Sequence, residues 1–250
     1  MSDVVISKVY NKYEVYKVIK NIVEKDIFRL TEIKGLGFKK VDEIYLKQEN
    51  SNKNPTVNSV QRDYMAGEVS KDLTRRILLP EDIVKAHDEG LIHFHDADYF
   101  SQHMHNCDLV NLEDMLQNGT VISETMIEKP KSFSTACNVA TQIIAQVASS
   151  QYGGQSITLS HLAPFVDVSR QKFRSEVKEE FKAIGIELDD EKINTLAEER
   201  LKKEITKGVQ TIQYQVVTLM TTNGQAPFIT VFMYLNEVPE GRLRDDIAMI

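Results

Sequence analysis

The sequence predicts an α/β fold preceded by a small helical segment, and three patterns support this prediction. Residues 8–30 place apolar side chains at helical spacing. Residues 131–150 begin with serine and threonine and continue with small and apolar residues, which is typical of a buried helix with a capped start. Residues 216–235 hold two apolar runs around Asn223 and Gly224, a turn-forming pair, so we expect the second run to be a strand.

The composition is that of a globular protein. The 250 residues are 42% hydrophobic and 27% charged, with a formal net charge of −7. A mildly acidic chain has no general attraction for nucleic acid or for an anionic membrane. No apolar run approaches the roughly 20 residues that span a bilayer, and the first residues lack the apolar core of a signal peptide. We therefore expect a cytoplasmic protein with no membrane partner.

The first third of the chain predicts a domain boundary. Residues 1–47 are expected to form a helical segment, in which 30–47 resemble a helix-hairpin-helix module around a Gly35–Gly37 turn. An ordinary helical hairpin is the alternative, and it is favoured over DNA binding. Residues 48–59 are polar and predict a linker, so the main domain is expected to cover residues 60–250.

Proline and glycine residues divide the middle of the chain into predicted helices and strands. An amphipathic helix from Val60 is ended by Leu79-Pro80, and a second helix is closed by Gly90. Residues 91–99 alternate in polarity, which predicts a strand running into a loop. Two further segments complete the prediction: a strand that turns into a helix at 107–116, and exposed helices or an insertion at the highly charged 171–208.

A cluster of histidines leads into one of the two cysteines, Cys107. The cluster permits metal binding through the His-x-His pair, with Cys107 as a third ligand. It also permits nucleophilic catalysis, in which a histidine activates the thiol, or simple pairing of the rings with nearby aspartates. The residues alone leave these alternatives open. Four histidines fall within thirteen residues: His93, His95, His103 and His105.

Several sequence blocks resemble the large subunit of anaerobic (class III, glycyl-radical) ribonucleotide reductases. In chain order they are HFHDADY, HNCDLVNLEDML, EKPKSFSTA, IIAQVASSQYGG, LAPFVDVSR and TTNGQAPFITV. The match is dense from about Val60 to Leu235. The SQYGG and NGQAPF blocks argue against the formate acetyltransferase type of glycyl-radical enzyme.

The resemblance implies both a fold and a chemistry. The fold is a ten-stranded α/β barrel around a finger loop, of which this chain would hold the N-terminal part. A glycyl radical, made by a separate iron–sulfur S-adenosylmethionine activase, generates a thiyl radical on a finger-loop cysteine. A second cysteine then takes part in reducing the 2′ carbon of a ribonucleoside triphosphate as water leaves. Cys107 matches this second cysteine.

The resemblance also implies roles for other residues. His93 or His95 would help to position formate, the reductant of many members, or to move protons, with a structural hydrogen-bonding role as an equal alternative; His103 and His105 are weaker candidates. Ser134 and Thr135, at a helix start, suit the substrate triphosphate, although plain helix capping is an equal alternative. Asn106, Asn223 and Gln225 are candidates for substrate contact, although a structural role is favoured for Asn223 and Gln225. Cys137 is expected to be a core residue, and no metal site is expected.

The family's finger-loop cysteine, cysteine-rich zinc site and radical glycine all lie beyond residue 250 in the resemblance. We therefore expect the chain alone to be inactive and to need a complementing C-terminal polypeptide, whether it is a fragment or one part of a split enzyme. A homodimer regulated by nucleoside triphosphate effectors, with formate or a dithiol as reductant, is the form that the resemblance implies. The alternative function is a nucleotide-binding, regulatory or DNA-associated module.

Overall fold

The computed structural model describes residues 58–219, 227–235 and 238–250. The predictions for residues 8–30 and 30–47, and most of the predicted linker, fall outside these residues and stay predictions. The chain divides into two compact units, Met1–Asp98 and Tyr99–Ile250, and each is described by itself.

The described part of the first unit is a pair of helices. Helix α1 spans Asn58–Leu73 and continues as a wider π-helical turn over Thr74–Leu78, and helix α2 spans Glu81–Asp88. Leu79 is extended, with φ −90° and ψ 143°, because a residue before proline avoids the helical region. Gly90 follows α2 with φ 75°, a conformation that favours glycine. The predicted ends of both helices are confirmed, whereas α1 already includes Asn58 and Ser59, which the sequence assigned to the linker.

Residues 91–99 do not form the predicted strand. The segment is a loop of bends and turns, with Asp96 in the left-handed region at φ 55°. Side chains satisfy its backbone groups: Ser70 and Thr74 donate to the carbonyl of Ala97, and the Phe94 N–H donates to His87 Nδ1. The strand prediction was wrong because a segment of alternating polarity forms a strand only when a neighbouring strand accepts and donates its backbone hydrogen bonds.

A three-stranded parallel sheet organises the second unit. Strands β1 (Asp108–Leu109), β4 (Gly154–Thr158) and β5 (Phe228–Phe232) lie in the order β1-β4-β5. Strands β2 (Thr120–Ile122) and β3 (Thr125–Ile127) form a separate antiparallel hairpin. The strand predicted in 216–235 is confirmed by β5, and the strand-to-helix prediction at 107–116 is confirmed by β1 and the helix that follows it.

Helices pack against the sheet and form the core. They are α3 (Leu112–Gln117), α4 (Phe133–Ser149), α5 (Ala163–Ala183), α6 (Asp190–Thr218) and α7 (Arg242–Met249), with a 3-10 turn at Leu159–Leu162. Helix α4 is the predicted buried helix. The region 171–208 is helical as predicted, but it is not wholly exposed, because α6 buries one stripe at a spacing of three to four residues. This stripe consists of Ile193, Ala197, Leu201, Ile205, Gly208 and Ile212.

Helices packed with a parallel sheet confirm the predicted α/β class. The three parallel strands among the described residues do not close on themselves, so the ten-stranded barrel stays a prediction. Within the described ranges, no helix is both long and apolar enough to cross a membrane.

Candidate functional site

Cys107 is exposed and directly precedes strand β1. Its thiol donates a hydrogen bond to Oδ1 of Asn106, with a sulfur–oxygen distance of 3.4 Å. Cys137 has the opposite environment, since it is fully buried in α4. Burial, reinforced by the negative charge of Glu204, raises the pKa of the Cys137 thiol to about 12. Cys137 is therefore the predicted core residue, and Cys107 is the accessible thiol.

The backbone around Cys107 is joined to the segment before β4. The Gly153 N–H donates to the carbonyl of Asn106 at 2.8 Å, and the Tyr152 N–H donates to the carbonyl of His105 at 3.1 Å. The N–H of His105 in turn donates to the carbonyl of Ser150 at 3.3 Å. These bonds extend the β1–β4 pairing towards the start of both strands, so the SQYGG block lies beside the cysteine.

Gly153 is required at this position because of how closely the two segments approach. A Cβ on Gly153 would lie 2.2 Å from the backbone oxygen of Asn106 and 2.3 Å from its Oδ1. Real Cβ atoms do not approach so closely, so any larger residue must displace Asn106. Sequence analysis did not identify Gly153 as a functional residue. The signal that could have found it is the Gly153-Gly154 pair directly before a strand.

Parallel pairing places the beginnings of three strands along one edge of the sheet. Asp108 pairs with Gln155, and Gly154 pairs with Phe228. Cys107, one residue before Asp108, therefore belongs to the same edge as Gly154 and the start of β5. The candidate substrate residues Asn223 and Gln225 precede β5 in sequence but lie outside the described residues.

A histidine–aspartate pair flanks the cysteine. Nδ1 of His105 lies 3.0 Å from Oδ1 of Asp108, and the imidazole ring is largely exposed. Tyr152 stacks on Tyr99 with ring centroids 4.2 Å apart. From the sequence, His105 was a weak candidate and Asp108 was not predicted to belong to the site. Their spacing of three residues, with Cys107 between them, is the signal that could have identified the pair.

His93 and His95 belong to the first unit and contact each other. Nε2 of His93 lies 3.2 Å from Nδ1 of His95, and Nε2 of His95 lies 3.1 Å from a carboxylate oxygen of Asp96. The ring of His87 lies 5.6 Å from that of His93. In the contact between His93 and His95, both of which are exposed, one ring nitrogen must donate and the other must accept.

The metal-ligand alternative for this region has no support in the described part of the chain. There, no group of three or more histidine, cysteine, aspartate or glutamate side chains is arranged to hold a metal ion. A structural zinc site takes four ligands of this kind.

The start of α4 is capped by Ser132 and by side chains from α5 and α6. Ser132 is the N-cap, and its hydroxyl accepts from the N–H of Thr135 at 3.1 Å. The N–H of Phe133 donates to Ser169 Oγ at 2.7 Å, and the N–H of Ser134 donates to Glu204 Oε1 at 3.2 Å. Capping at this helix start is thus confirmed. The Glu204 carboxylate occupies the place that an anionic ligand would take, so a phosphate contact by Ser134 and Thr135 stays a prediction.

Comparisons with known proteins agree with the blocks around Cys107. Residues 49–250 match the family model for anaerobic ribonucleoside-triphosphate reductase. The relative of that name from Escherichia coli (strain K12) is 44% identical over 201 residues, which cover 79% of this chain and 27% of the relative. The relative from Haemophilus influenzae is 37% identical over 240 residues, which cover 94% of this chain and 32% of the relative.

A solved structure shows the same fold at low identity. It is the anaerobic ribonucleotide reductase from Thermotoga maritima in complex with dATP and CTP, with a TM-score of 0.51 and 15% identity. The likeness covers 99% of this chain and 40% of that one. The chain spans 27 to 32% of the length of the curated relatives named above. On the extent of the family match, this chain belongs to the anaerobic ribonucleoside-triphosphate reductase family.

Proposed function

We propose that the chain is part of an enzyme that reduces ribonucleoside triphosphates to 2′-deoxyribonucleotides, and that Cys107 is its reducing cysteine. The observation that carries the proposal is the position of Cys107 in a chain of this family. Its thiol is exposed at the start of β1, beside Gly153 and on the edge of the sheet where β4 and β5 also begin.

The thiol suits this chemistry because an S–H bond is weak enough to exchange a hydrogen atom with a sugar carbon. A hydroxyl or a methyl group in the same place would hold its hydrogen too strongly. The sulfur of Cys107 is accessible to a substrate, and its proton already has a neutral acceptor in Asn106. Cys137 cannot substitute for it, because it is buried between α4 and α6 and is not accessible to a substrate.

The proposed cofactors and partners follow from the family. A glycyl radical, installed by an iron–sulfur S-adenosylmethionine activase, supplies the hydrogen-abstracting chemistry when that part of the enzyme is present. Formate or a dithiol is the reductant, nucleoside triphosphates are the effectors, and the assembled enzyme is a homodimer. The dATP and CTP bound by the Thermotoga maritima protein support nucleotides as ligands.

Other residues have proposed roles in the same reaction. His93 and His95 are proposed to hold formate or to move a proton, since their hydrogen-bonded nitrogens can exchange donor and acceptor roles. Asn106, Asn223 and Gln225 are proposed to contact the substrate. Ser134 and Thr135 are proposed for the triphosphate, which would have to displace the Glu204 carboxylate from the N–H of Ser134.

The test is reconstitution without oxygen. The chain is mixed with a polypeptide that carries the remainder of the family's length, with the activase and with formate or a dithiol, and the conversion of CTP to dCTP is measured. We expect turnover in the mixture and none from the 250-residue chain alone. Cys107→Ser should abolish turnover, and the matched control Cys137→Ala should retain it. Turnover by Cys107→Ser would contradict the proposal.

A further inference from the structure

Asn106 links the Cys107 thiol to Gly153. On one side, its Oδ1 accepts the hydrogen bond from the thiol at 3.4 Å. On the other side, the same Oδ1 lies so close to Gly153 that an added Cβ would be 2.3 Å away. We propose that Asn106 is a positioning residue for the Cys107 thiol, and that Gly153 is the residue that makes room for it. The inference rests on the proposed function and names how that site holds its cysteine.

The backbone holds Asn106 in place. Its carbonyl accepts from Gly153 at 2.8 Å, and the residues before it are joined to 150–152 by the bonds of His105. The next residues pair with β4, since Asp108 lies opposite Gln155. Asn106 and Cys107 are therefore carried by a paired stretch of backbone and not by a free loop. Gly153 limits where the side-chain amide of Asn106 can lie, because Gly153 and Asn106 are in van der Waals contact.

An amide oxygen is a suitable acceptor for a thiol that must keep its hydrogen until it reacts. A thiol is a weak donor that rotates freely about its carbon–sulfur bond when it has no acceptor. The Asn106 oxygen selects one orientation of the S–H group, and a neutral amide accepts the bond without removing the proton. Fewer orientations of the reacting group mean that less entropy is lost on reaching the reactive geometry.

The hydrogen bond can be observed in the chain itself. The S–H stretching vibration absorbs in a region of the infrared spectrum that is free of other protein bands, and the chain has two cysteines. Cys107→Ser in the reduced chain identifies the band that belongs to Cys107. Asn106→Leu keeps the approximate shape but removes the acceptor, and we expect the band to move to higher wavenumber. Asn106→Asp restores an acceptor oxygen and should return the band towards its original position.

The two adjacent glycines give a matched pair. Gly153→Ala must displace Asn106, so it should shift the Cys107 band as Asn106→Leu does. Gly154→Ala adds the same methyl group, but its Cβ meets Phe228 Cβ at an ordinary 3.5 Å, and the band should stay in place. Circular dichroism of each variant shows that it is folded. A band that is unchanged in folded Asn106→Leu would overturn the inference.

Turnover in the reconstituted enzyme separates this inference from the proposed function. Asn106→Leu should lower kcat because the thiol is misoriented, whereas loss of the proposed contact between Asn106 and the substrate would appear separately as a rise in KM. If Cys107→Ser keeps full turnover, the proposed function fails, whatever the infrared band shows. If Cys107 is essential while Asn106→Leu keeps full kcat, the proposed function stands and the positioning role of Asn106 is wrong.

Discussion

Asp246 in α7 forms a bidentate ion pair with Arg170, and both side chains are buried. Both terminal nitrogens of Arg170 donate to the Asp246 carboxylate, one of them at 3.1 Å. Arg170 also bonds Glu198 at 2.6 Å and Asp167 at 3.0 Å, so it joins helices α5, α6 and α7. Burial alone lowers the pKa of the guanidinium, but its hydrogen bonds to the three carboxylates outweigh burial and hold that pKa above its ordinary value.

Removing one member of this buried pair should strongly destabilise the second unit. Asp246→Ala leaves Arg170 buried with two of its three carboxylate partners, so the loss should lie at the lower end of the roughly 3–5 kcal/mol of unfolding free energy that breaking a buried pair costs. Urea denaturation measures the change. The adjacent Asp245→Ala is the control, because Asp245 is exposed and should change stability by less than about 0.5 kcal/mol. A change for Asp246→Ala as small as that expected for Asp245→Ala would show that the Arg170 pair does not stabilise the fold.

Gly208 allows α6 to pack closely against α4. A Cβ on Gly208 would lie 2.7 Å from Phe133 Cε1 and 2.8 Å from Cys137 Sγ, and both neighbours are fully buried. We expect Gly208→Ala to destabilise the chain, because overpacking costs about 1–3 kcal/mol and the better helix propensity of alanine returns only about 1 kcal/mol.

A second glycine and a double variant test this explanation in thermal or urea unfolding. Gly67→Ala in α1 adds the same methyl where the contact is an ordinary 3.4 Å from Asp98 Cβ, so it should be neutral or stabilising. Adding Cys137→Ala to Gly208→Ala removes one of the two clashes, and the double variant should lose less stability than the two single changes together. Simple additivity would argue against a clash with the sulfur.

The two thiols should differ in reactivity. Cys107 is exposed and Cys137 is fully buried. A thiol reagent added to the native, reduced chain should therefore modify Cys107 alone, and both thiols should react after unfolding in urea. Mass spectrometry of tryptic peptides identifies the modified residue. Rapid labelling of Cys137 in the native chain would contradict the packing of α4 against α6.

Alkaline pH should weaken the fold partly through Cys137. Its pKa is raised by burial from an ordinary value of 9.0 to about 12, so the unfolded chain releases this proton first. The contribution of the neutral thiol is fully present below about pH 9 and is lost as the pH rises towards about 12. The stability difference between wild type and Cys137→Ala, measured by urea denaturation, should shrink across this range. A constant difference would show that the Cys137 thiol titrates alike in both states.

Local sequence signals predicted many of the elements. Proline fixes the backbone at Leu79-Pro80, and glycine permits the turn at Gly90. The ends of α1 and α2 could therefore be predicted from the local sequence alone. The capped, apolar α4 and the strand β5 were equally local. The strand predicted at 91–99 failed, because a strand exists only when a neighbour completes its hydrogen bonds, and here Ser70, Thr74 and His87 complete them instead.

The sequence by itself determined the family and singled out Cys107, because blocks such as HNCDLV and SQYGG can be recognised without their three-dimensional arrangement. It also marked Cys137 as part of an apolar helix. Only the tertiary structure showed that Gly153 lies against Asn106, that the Asn106 oxygen accepts a hydrogen bond from the Cys107 thiol, and that Glu204 reaches the start of α4. Such contacts depend on strand register and helix packing. Both are set by the burial of many side chains at once, so no short stretch of sequence contains them.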